Sequence, residues 1–209
     1  MRTEDDDIRA GMSVGPVPLG DAELAEGLSA ILAARPEADG LWLFGYGALL
    51  WQSLAAFAAV EPARLPGWRR RFCLWSMVSR GNPARPGLGL GLVAGGATEG
   101  LALRVPEAEF GTLLAKVWRQ EMYAGLYRPA WLPAERIEGG ERQVLAFVAA
   151  PGHPQFVDTL SLADQAAIIR DAVGENGPCR EYLSKSVAAL EQWGLADPEM
   201  AALLALVDA

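Results

Sequence analysis

The sequence has little of the residues that build metal centres and disulfide frameworks. Its 209 residues include two cysteines, Cys73 and Cys179, and a single histidine, His153. Two distant cysteines are too few for a disulfide framework and lack the paired spacing of a zinc site. His153 lies in a Pro-Gly-His-Pro sequence typical of a turn, which disfavours Ser-His-Asp and Cys-His catalysis. We therefore expect two buried or idle thiols and a chemistry without a metal or other cofactor.

Basic residues are outnumbered, and long apolar runs are missing. The chain has 18 lysines and arginines against 26 aspartates and glutamates, which gives a net charge of −8. Nucleic-acid binding requires clustered positive charge, so this composition argues against a nucleic-acid partner. No stretch approaches the roughly 18 apolar residues of a membrane span, and the acidic N-terminus lacks the apolar core of a signal peptide. We therefore expect a soluble, cytoplasmic protein without a membrane partner.

The length and composition indicate one domain. A chain of 209 residues that is 51% hydrophobic can bury a full core. Residues 1–20 mix acidic residues, glycine and proline without periodicity, which predicts a mobile leader before a single domain over residues 21–209. No internal repeat is visible, and a monomer is favoured.

Apolar residues at helical spacing predict five helices, and three of them lie toward the end of the chain. The first predicted helix starts at an Asp21 N-cap and presents Leu24, Leu28, Ile31 and Leu32 on one face. Ser161 is the expected cap of a later one. The predicted helices cover residues 21–35, 106–120, 161–173 and 179–193, and a short one begins at Pro198.

Short apolar segments separated by glycine and proline predict the strands. They cover residues 41–46, 68–75, 88–93, 101–105 and 143–150. Such segments are typical of an antiparallel sheet or a small barrel. With helices gathered toward the end, the predicted class is α+β around a mixed, mostly antiparallel β core.

A glycine-rich segment closes the first predicted strand. Residues 44–49 read Phe-Gly-Tyr-Gly-Ala-Leu, so Gly45 and Gly47 remove Cβ at alternate positions. Without those atoms a ligand can approach the backbone N–H groups closely, which is typical of anion-binding loops. A tight turn that merely ends a buried strand explains the same segment equally well.

Glu121 is the candidate catalytic residue. It ends an amphipathic helix and precedes a predicted loop, rich in aromatic residues, that contains Tyr123, Tyr127 and Trp131. Aromatic surface removes water from a carboxylate, which raises its pKa and makes it a better base near neutral pH. Alternatively, Glu121 is a solvated charge or the partner of Arg119 or Arg128.

Several further segments, in this order, resemble the ChaC family. The first is residues 43–49 with Trp51, followed by Arg-Phe-Cys-Leu-Trp-Ser at 71–76, Arg-Gly-Asn-Pro at 80–83 and Pro-Gly at 86–87. The later ones are Trp-Arg-Gln-Glu-Met at 118–122, Tyr-Arg-Pro at 127–129 and Asn-Gly-Pro-Cys-Arg-Glu-Tyr-Leu at 176–183. Together they span roughly residues 41–193 and are far more specific than any one alone.

The resemblance implies a γ-glutamylcyclotransferase that converts glutathione into 5-oxoproline and cysteinylglycine. It also implies a small mixed β-barrel flanked by helices, the γ-glutamylcyclotransferase-like fold. The proton-transfer role of the family's helix-end glutamate falls on Glu121. The loop whose backbone holds the γ-glutamyl group falls on Leu43, Phe44, Gly45, Tyr46, Gly47, Ala48 and Leu49.

Two further residues are predicted to bind substrate. Arg80, between an aromatic strand and a Gly-Asn-Pro turn, is suited to a glutathione carboxylate, although a surface arginine is the commoner case. Tyr182, on a predicted helix, either hydrogen-bonds the substrate or packs with its hydroxyl at the surface.

The sequence departs from the family at two of these segments. Ala48 stands where the family usually has serine, which removes a hydroxyl near the γ-glutamyl group. Cys179 replaces the usual asparagine, which puts the local helix cap in doubt. Two alternatives therefore stay open: a cyclotransferase for other γ-glutamyl amines or dipeptides, and a catalytically silent protein that binds γ-glutamyl peptides.

Overall fold

The computed structural model describes residues 17–36, 40–52, 54–195 and 197–209. The described chain forms two compact units. The first unit comprises Val17–Arg70 and Leu92–Val148, and the second comprises Arg71–Gly91 and Ala149–Ala209. Most of the predicted mobile leader lies outside the described residues, and both it and the single domain stay predictions.

Five strands form a closed barrel. They are β1 (Leu41–Gly45), β2 (Ala59–Ser76), β3 (Gly87–Val105), β4 (Tyr127–Arg136) and β5 (Glu141–Ala149), in the spatial order β1-β3-β2-β4-β5. Strand β1 pairs antiparallel with β3, where Leu41 opposes Val105, and parallel with β5, where Leu43 opposes Leu145. Closure leaves no unpaired sheet edge. The predicted class, a mixed and mostly antiparallel barrel flanked by helices, is confirmed.

The barrel strands are longer than predicted. Residues 88–93 and 101–105 belong to one strand, β3, because Gly95 and Gly96 continue it with positive φ instead of ending it. Strand β4 occupies a segment that we expected to be a loop. Its prolines at 129 and 133 argue against a central strand, because proline donates no ladder hydrogen bond. The sequence therefore shows no sign of strand β4, which pairs with β2 where Ala63 opposes Arg136.

Five α-helices lie within the described residues. They are α1 (Asp21–Ala33), α2 (Leu113–Met122), α3 (Leu162–Asp171), α4 (Cys179–Gln192) and α5 (Pro198–Asp208). Ser161 caps α3 as predicted, since its hydroxyl accepts the Asp164 N–H at 3.2 Å. The N-cap of α1 is Gly20, so the prediction of Asp21 is wrong. The Gly20 N–H donates to the Glu23 carboxylate at 2.8 Å, and this bond starts the helix one residue earlier.

The helix α1 buries less of its apolar face than the pattern indicated. Of the four leucine and isoleucine positions predicted to dock, Leu24 is buried, whereas Leu32 is exposed. A two-residue hairpin, β6 (Val173–Gly174) and β7 (Gly177–Pro178), precedes α4. Among the described helices, none combines the length and the apolarity needed to cross a bilayer.

Candidate active site

The glycine-rich loop leaves the barrel at the end of β1. Gly45 ends the strand, Tyr46 and Gly47 follow, and a single 3-10 turn covers Ala48–Leu50. The segment is buried except for Ala48, which is partly exposed. Neither glycine has a positive φ. Gly45 leaves little space for a side chain, because a Cβ there would lie 3.2 Å from Leu49 Cβ and from a methyl group of Leu103.

Tyr46 is fixed at both its backbone and its side chain. Its hydroxyl donates to the Phe147 carbonyl at 2.6 Å, and its own carbonyl accepts the Arg70 Nε–H at 2.6 Å. Arg70 also donates through Nη2 to the Glu99 carbonyl at 2.5 Å. These bonds join the loop to β5, β2 and β3, so the rigid barrel sets the course of the loop.

Three consecutive backbone N–H groups of the loop make no hydrogen bond with the described residues. The Leu50 and Trp51 N–H groups close the 3-10 turn by donating to Gly47 and Ala48 at 2.9 and 3.2 Å. The N–H groups of Gly47, Ala48 and Leu49 precede that ladder and have no acceptor within the described part of the chain. The first N–H groups of any helical turn lack an internal partner, so they suit a carboxylate or a developing oxyanion.

The helix α2 positions Glu121 in its last turn. Trp118, one turn earlier, is buried, and its indole N–H donates to the Leu24 carbonyl of α1 at 2.9 Å. Its ring packs edge-on against Phe147 of β5, with centroids 6.0 Å apart. Because residues three apart share a helix face, Glu121 lies on the side of α2 that carries Trp118. Phe147 thus anchors both this helix and the Tyr46 loop.

Burial changes the acidity of Glu121. The residue keeps limited solvent exposure, but the loss of water around its carboxyl group raises its pKa from 4.5 to about 7. A hydrogen bond from the Gln120 amide, 3.3 Å away, acts in the opposite direction. Arg119 forms an ion pair with Asp21 at 2.6 Å, so it is not the partner of Glu121. The carboxyl group therefore exchanges a proton near neutral pH.

Arg80 and Tyr182 lie together in the second unit. The Arg80 guanidinium stacks 4.8 Å above the Tyr182 ring centre and donates to the Asn176 carbonyl. Arg80 is only 8% exposed, so it is not an ordinary surface arginine. Tyr182 is equally buried, and Phe72 packs edge-on against its ring. Glu121 and the loop belong to the first unit.

Both cysteines are free and buried, as predicted. The Cys179 thiol lies against β3, where it donates to the Leu88 carbonyl at 3.3 Å. Burial raises the pKa of this thiol to about 11, so it stays protonated and unreactive. The helix α4 begins at Cys179 with no side-chain cap, because Pro178 occupies the N-cap position. Within the described residues, no cluster of His, Cys, Asp and Glu side chains could hold a metal ion.

Sequence reasoning missed Arg70. It is the middle residue of three consecutive arginines, a pattern that is typical of a solvated surface. The period of a strand offered one signal, because position 70 falls on the same side as Phe72 and Leu74. An arginine on the same side of a strand as buried apolar residues indicates a buried cation, which needs hydrogen-bond acceptors.

Comparison with known proteins agrees with this architecture. Residues 41–209 match the sequence model of the family described as ChaC-like protein. The glutathione-specific gamma-glutamylcyclotransferase of Escherichia coli K12 is 34% identical over 183 residues, which are 88% of this chain and 79% of the relative. The human glutathione-specific gamma-glutamylcyclotransferase 1 is 28% identical, with 72% of each chain covered.

The fold has solved counterparts as well. The crystal structure of a gamma-glutamyl cyclotransferase specific to glutathione from yeast superposes with a TM-score of 0.74 and 20% sequence identity. The match covers 82% of this chain and 96% of the yeast chain. A barrel of this topology with helices around it is the gamma-glutamylcyclotransferase-like fold. This chain belongs to the ChaC family.

Proposed function

We propose that this protein cleaves glutathione to 5-oxoproline and cysteinylglycine as a glutathione-specific γ-glutamylcyclotransferase. The observation that carries the proposal is Glu121, a helix-end carboxyl group with a pKa near 7, in the same unit as a loop with available backbone N–H groups. Membership of the ChaC family and the names of its curated relatives support this substrate.

The reaction places modest demands on the protein, because glutathione carries its own nucleophile. The α-amine of the γ-glutamyl residue attacks the γ-carbonyl carbon, a C–N bond closes the five-membered lactam, and the amide bond to cysteine breaks. Intramolecular attack supplies proximity without an enzymic nucleophile or a metal. On balance, the α-ammonium loses two protons and the departing nitrogen gains two. Catalysis must therefore move protons and stabilise the oxyanion.

Glu121 moves the protons. Its ionised form accepts one proton from the α-ammonium group, and its protonated form then donates that proton to the departing amine. The second proton lost and the second proton gained are exchanged with solvent. A pKa near 7 keeps both forms populated at neutral pH, which one shuttling group requires. The loop performs the second task, since the N–H groups of residues 47–49 are suited to the substrate carboxylate and the developing oxyanion. In this proposal residues 43–49 form the wall that binds the γ-glutamyl group.

Arg80 and Tyr182 are proposed as further substrate-binding residues. A guanidinium has five N–H donors, and the Asn176 carbonyl and the Tyr182 ring leave several of those of Arg80 for a carboxylate of the peptide. Arg80→Lys and Tyr182→Phe should raise KM for glutathione and leave kcat within about threefold, since uniform binding affects KM alone. A change in kcat with a constant KM would remove both residues from substrate binding.

Incubation of the purified protein with glutathione tests the proposal directly. We expect equal amounts of 5-oxoproline and cysteinylglycine, with kcat/KM rising through an apparent pKa near 7 as Glu121 ionises. Glu121→Gln should lower kcat at least about 100-fold, in keeping with the usual contribution of general acid–base catalysis. Glu107→Gln is the matched control, because it is the same change at an exposed site that lies outside α2. Full activity of Glu121→Gln would exclude the shuttle.

N-acetylglutathione distinguishes cyclisation from hydrolysis. Acetylation removes the nucleophilic amine, so the compound should not react even at high concentration. Release of free N-acetylglutamate would show that water attacks, and the protein would then be an amidase. Binding of glutathione without any product would identify a silent γ-glutamyl-peptide binding protein instead.

One observation favours a second candidate activity. Ala48 is the partly exposed position of the loop, and it lacks the hydroxyl that the family usually carries there. A cyclotransferase for other γ-glutamyl amines or dipeptides would accommodate that change. Comparison of kcat/KM for glutathione and for γ-glutamyl dipeptides decides between them, and a preference for the dipeptides would assign the second activity.

We further propose that the enzyme acts as a monomer in the cytoplasm. The family resemblance supports this location, since its members act on an intracellular peptide. Size-exclusion chromatography with light scattering tests the monomer, and fractionation of cells tests the location.

A further inference from the structure

The peptide group between Tyr46 and Gly47 links a buried arginine to the proposed oxyanion site. The bond is trans, so its C=O and its N–H point in opposite directions. The carbonyl accepts the Arg70 Nε–H at 2.6 Å. The N–H on the other side belongs to Gly47 and is the first of the three available donors. A group that holds this carbonyl therefore also aims the N–H.

Arg70 is suited to hold one peptide plane in one orientation. It is 5% exposed, so its charge is removed from water and must be matched by acceptors. Its Nε–H donates to the Tyr46 carbonyl at 2.6 Å, and its Nη2–H donates to the Glu99 carbonyl of β3 at 2.5 Å. Both distances are those of charge-assisted hydrogen bonds. A planar fork fixed at two points resists rotation, whereas a lysine ammonium cannot reproduce the spacing of the two donors.

The charge of Arg70 also acts through the peptide bond. A cation that donates to a carbonyl draws electron density from the amide, and hydrogen bonds in series strengthen one another by polarisation. The Gly47 N–H becomes a better donor toward negative charge on its far side. Such preorganised dipoles stabilise a transition state because they need no reorganisation when the charge develops.

We propose that Arg70 is a positioning residue that orients and polarises the Tyr46–Gly47 peptide so that the Gly47 N–H stabilises the oxyanion formed on the γ-glutamyl carbonyl. The proposal rests on the proposed function for the identity of that oxyanion. Arg70 does not touch the substrate in this mechanism, since the peptide group stands between them.

Arg142 provides a matched control. It is another arginine of the first unit with a largely buried side chain, but it lies over the Trp42 ring at 3.4 Å and pairs with the Glu61 carboxylate at 3.4 Å. Arg142→Lys should therefore lower the melting temperature without affecting the loop. Comparison with Arg70→Lys and Arg70→Met separates a loss of stability from a loss of catalysis.

Kinetics form the first part of the test. Well below the melting temperature of each variant, both Arg70 variants should lower kcat about 10- to 100-fold, while KM stays within about threefold, because oxyanion stabilisation is gained in the transition state alone. The apparent pKa of kcat/KM near 7 should not move, since it reports Glu121. Arg142→Lys should keep the parental kcat. Parental kcat in an Arg70 variant, or an equal loss in the control, would overturn the proposal.

The Gly47 amide resonance forms the second part and does not depend on turnover. Its ¹⁵N signal should move upfield in Arg70→Met and stay in place in Arg142→Lys, because only the first variant removes the cation that donates to the preceding carbonyl. In the unsubstituted protein, added 5-oxoproline should shift the Gly47 amide proton downfield. An unmoved Gly47 signal in this titration overturns the proposal even if no Arg70 variant folds. A parent protein that releases no 5-oxoproline refutes the proposed function instead, while the variant spectra still test Arg70.

Discussion

Replacement of Glu121 by glutamine should stabilise the protein, and the gain should grow with pH. The carboxyl group has a pKa of about 7 in the folded protein and 4.5 as the reference for the unfolded chain. A raised pKa means that folding favours the protonated form. The carboxyl group therefore costs no stability below about pH 4.5 and becomes unfavourable as it ionises up to about pH 7. Glutamine stays neutral and avoids this cost.

The size of the effect follows from the same pKa values. Each pKa unit corresponds to about 1.36 kcal/mol, so the shift from 4.5 to about 7 means that ionised Glu121 lowers the free energy of unfolding by at most about 3–4 kcal/mol above neutral pH. The residual solvent exposure of the residue reduces this cost, and we expect a gain of about 1–3 kcal/mol for the glutamine variant. This gain is a large share of the usual stability of a domain, about 5–15 kcal/mol.

Urea unfolding at a series of pH values from about 4 to 9 measures the effect. The difference between Glu121→Gln and the parent should be constant at the acidic end, rise between pH 4.5 and about 7, and then level off. Glu181→Gln is the control with the opposite sign. Its exposed carboxylate pairs with Lys185, which lowers its pKa, so the variant loses stability at neutral pH and not in acid. A pH-independent difference for Glu121→Gln, or a loss of stability at high pH, would refute the burial of a titrating carboxyl group.

Three further predictions concern the loop and the mechanism. Ala48→Ser restores the usual hydroxyl and should leave kcat/KM for glutathione unchanged or improved, because one hydrogen bond contributes about 0.5–1.5 kcal/mol; a drop beyond about tenfold would indicate another substrate. Dialysis against EDTA should leave turnover intact, because intramolecular attack needs no Lewis acid; loss that added metal restores would contradict this. Gly100→Ala should lower both stability and kcat, because its Cβ would lie 2.5 Å from the Gly45 carbonyl oxygen and push the loop; parental activity would show that the loop tolerates the shift.

The sequence predicted those elements whose burial is continuous along the chain. The segment that became β1 is apolar at every position, and all five residues are buried. Helices with strong caps were also predicted well, as the Ser161 cap of α3 shows. Strand β4 was missed, because its two prolines and its mixed polarity are those of a loop. Its partner strand fixes it in place, and pairing between distant segments leaves no local signal.

Those parts of the candidate site that are local sequence patterns were predictable, and those that depend on distant contacts were not. The glycine-rich loop and the helix-end glutamate are local patterns, and their resemblance to one family gave them roles before any geometry was known. The raised pKa of Glu121 depends on burial, which a helical pattern does not fix. Arg70 depends on three segments that are distant in sequence, since it donates to residues 24 and 29 positions away. A contact of that range cannot be inferred from one chain without its fold.

The mechanism proposed above needs one proton shuttle and a few oriented N–H groups, and the barrel provides a common support for both. Glu121 lies on a helix and the N–H groups lie on a loop, so their separation depends on what holds each of them. Phe147 serves both, because its carbonyl accepts the Tyr46 hydroxyl and its ring supports Trp118, one turn before Glu121. A strand inside a closed barrel has paired neighbours on both sides and is among the least mobile elements of a protein. Loop and helix are therefore anchored to the same residue of β5, which is the support that the proposed mechanism requires.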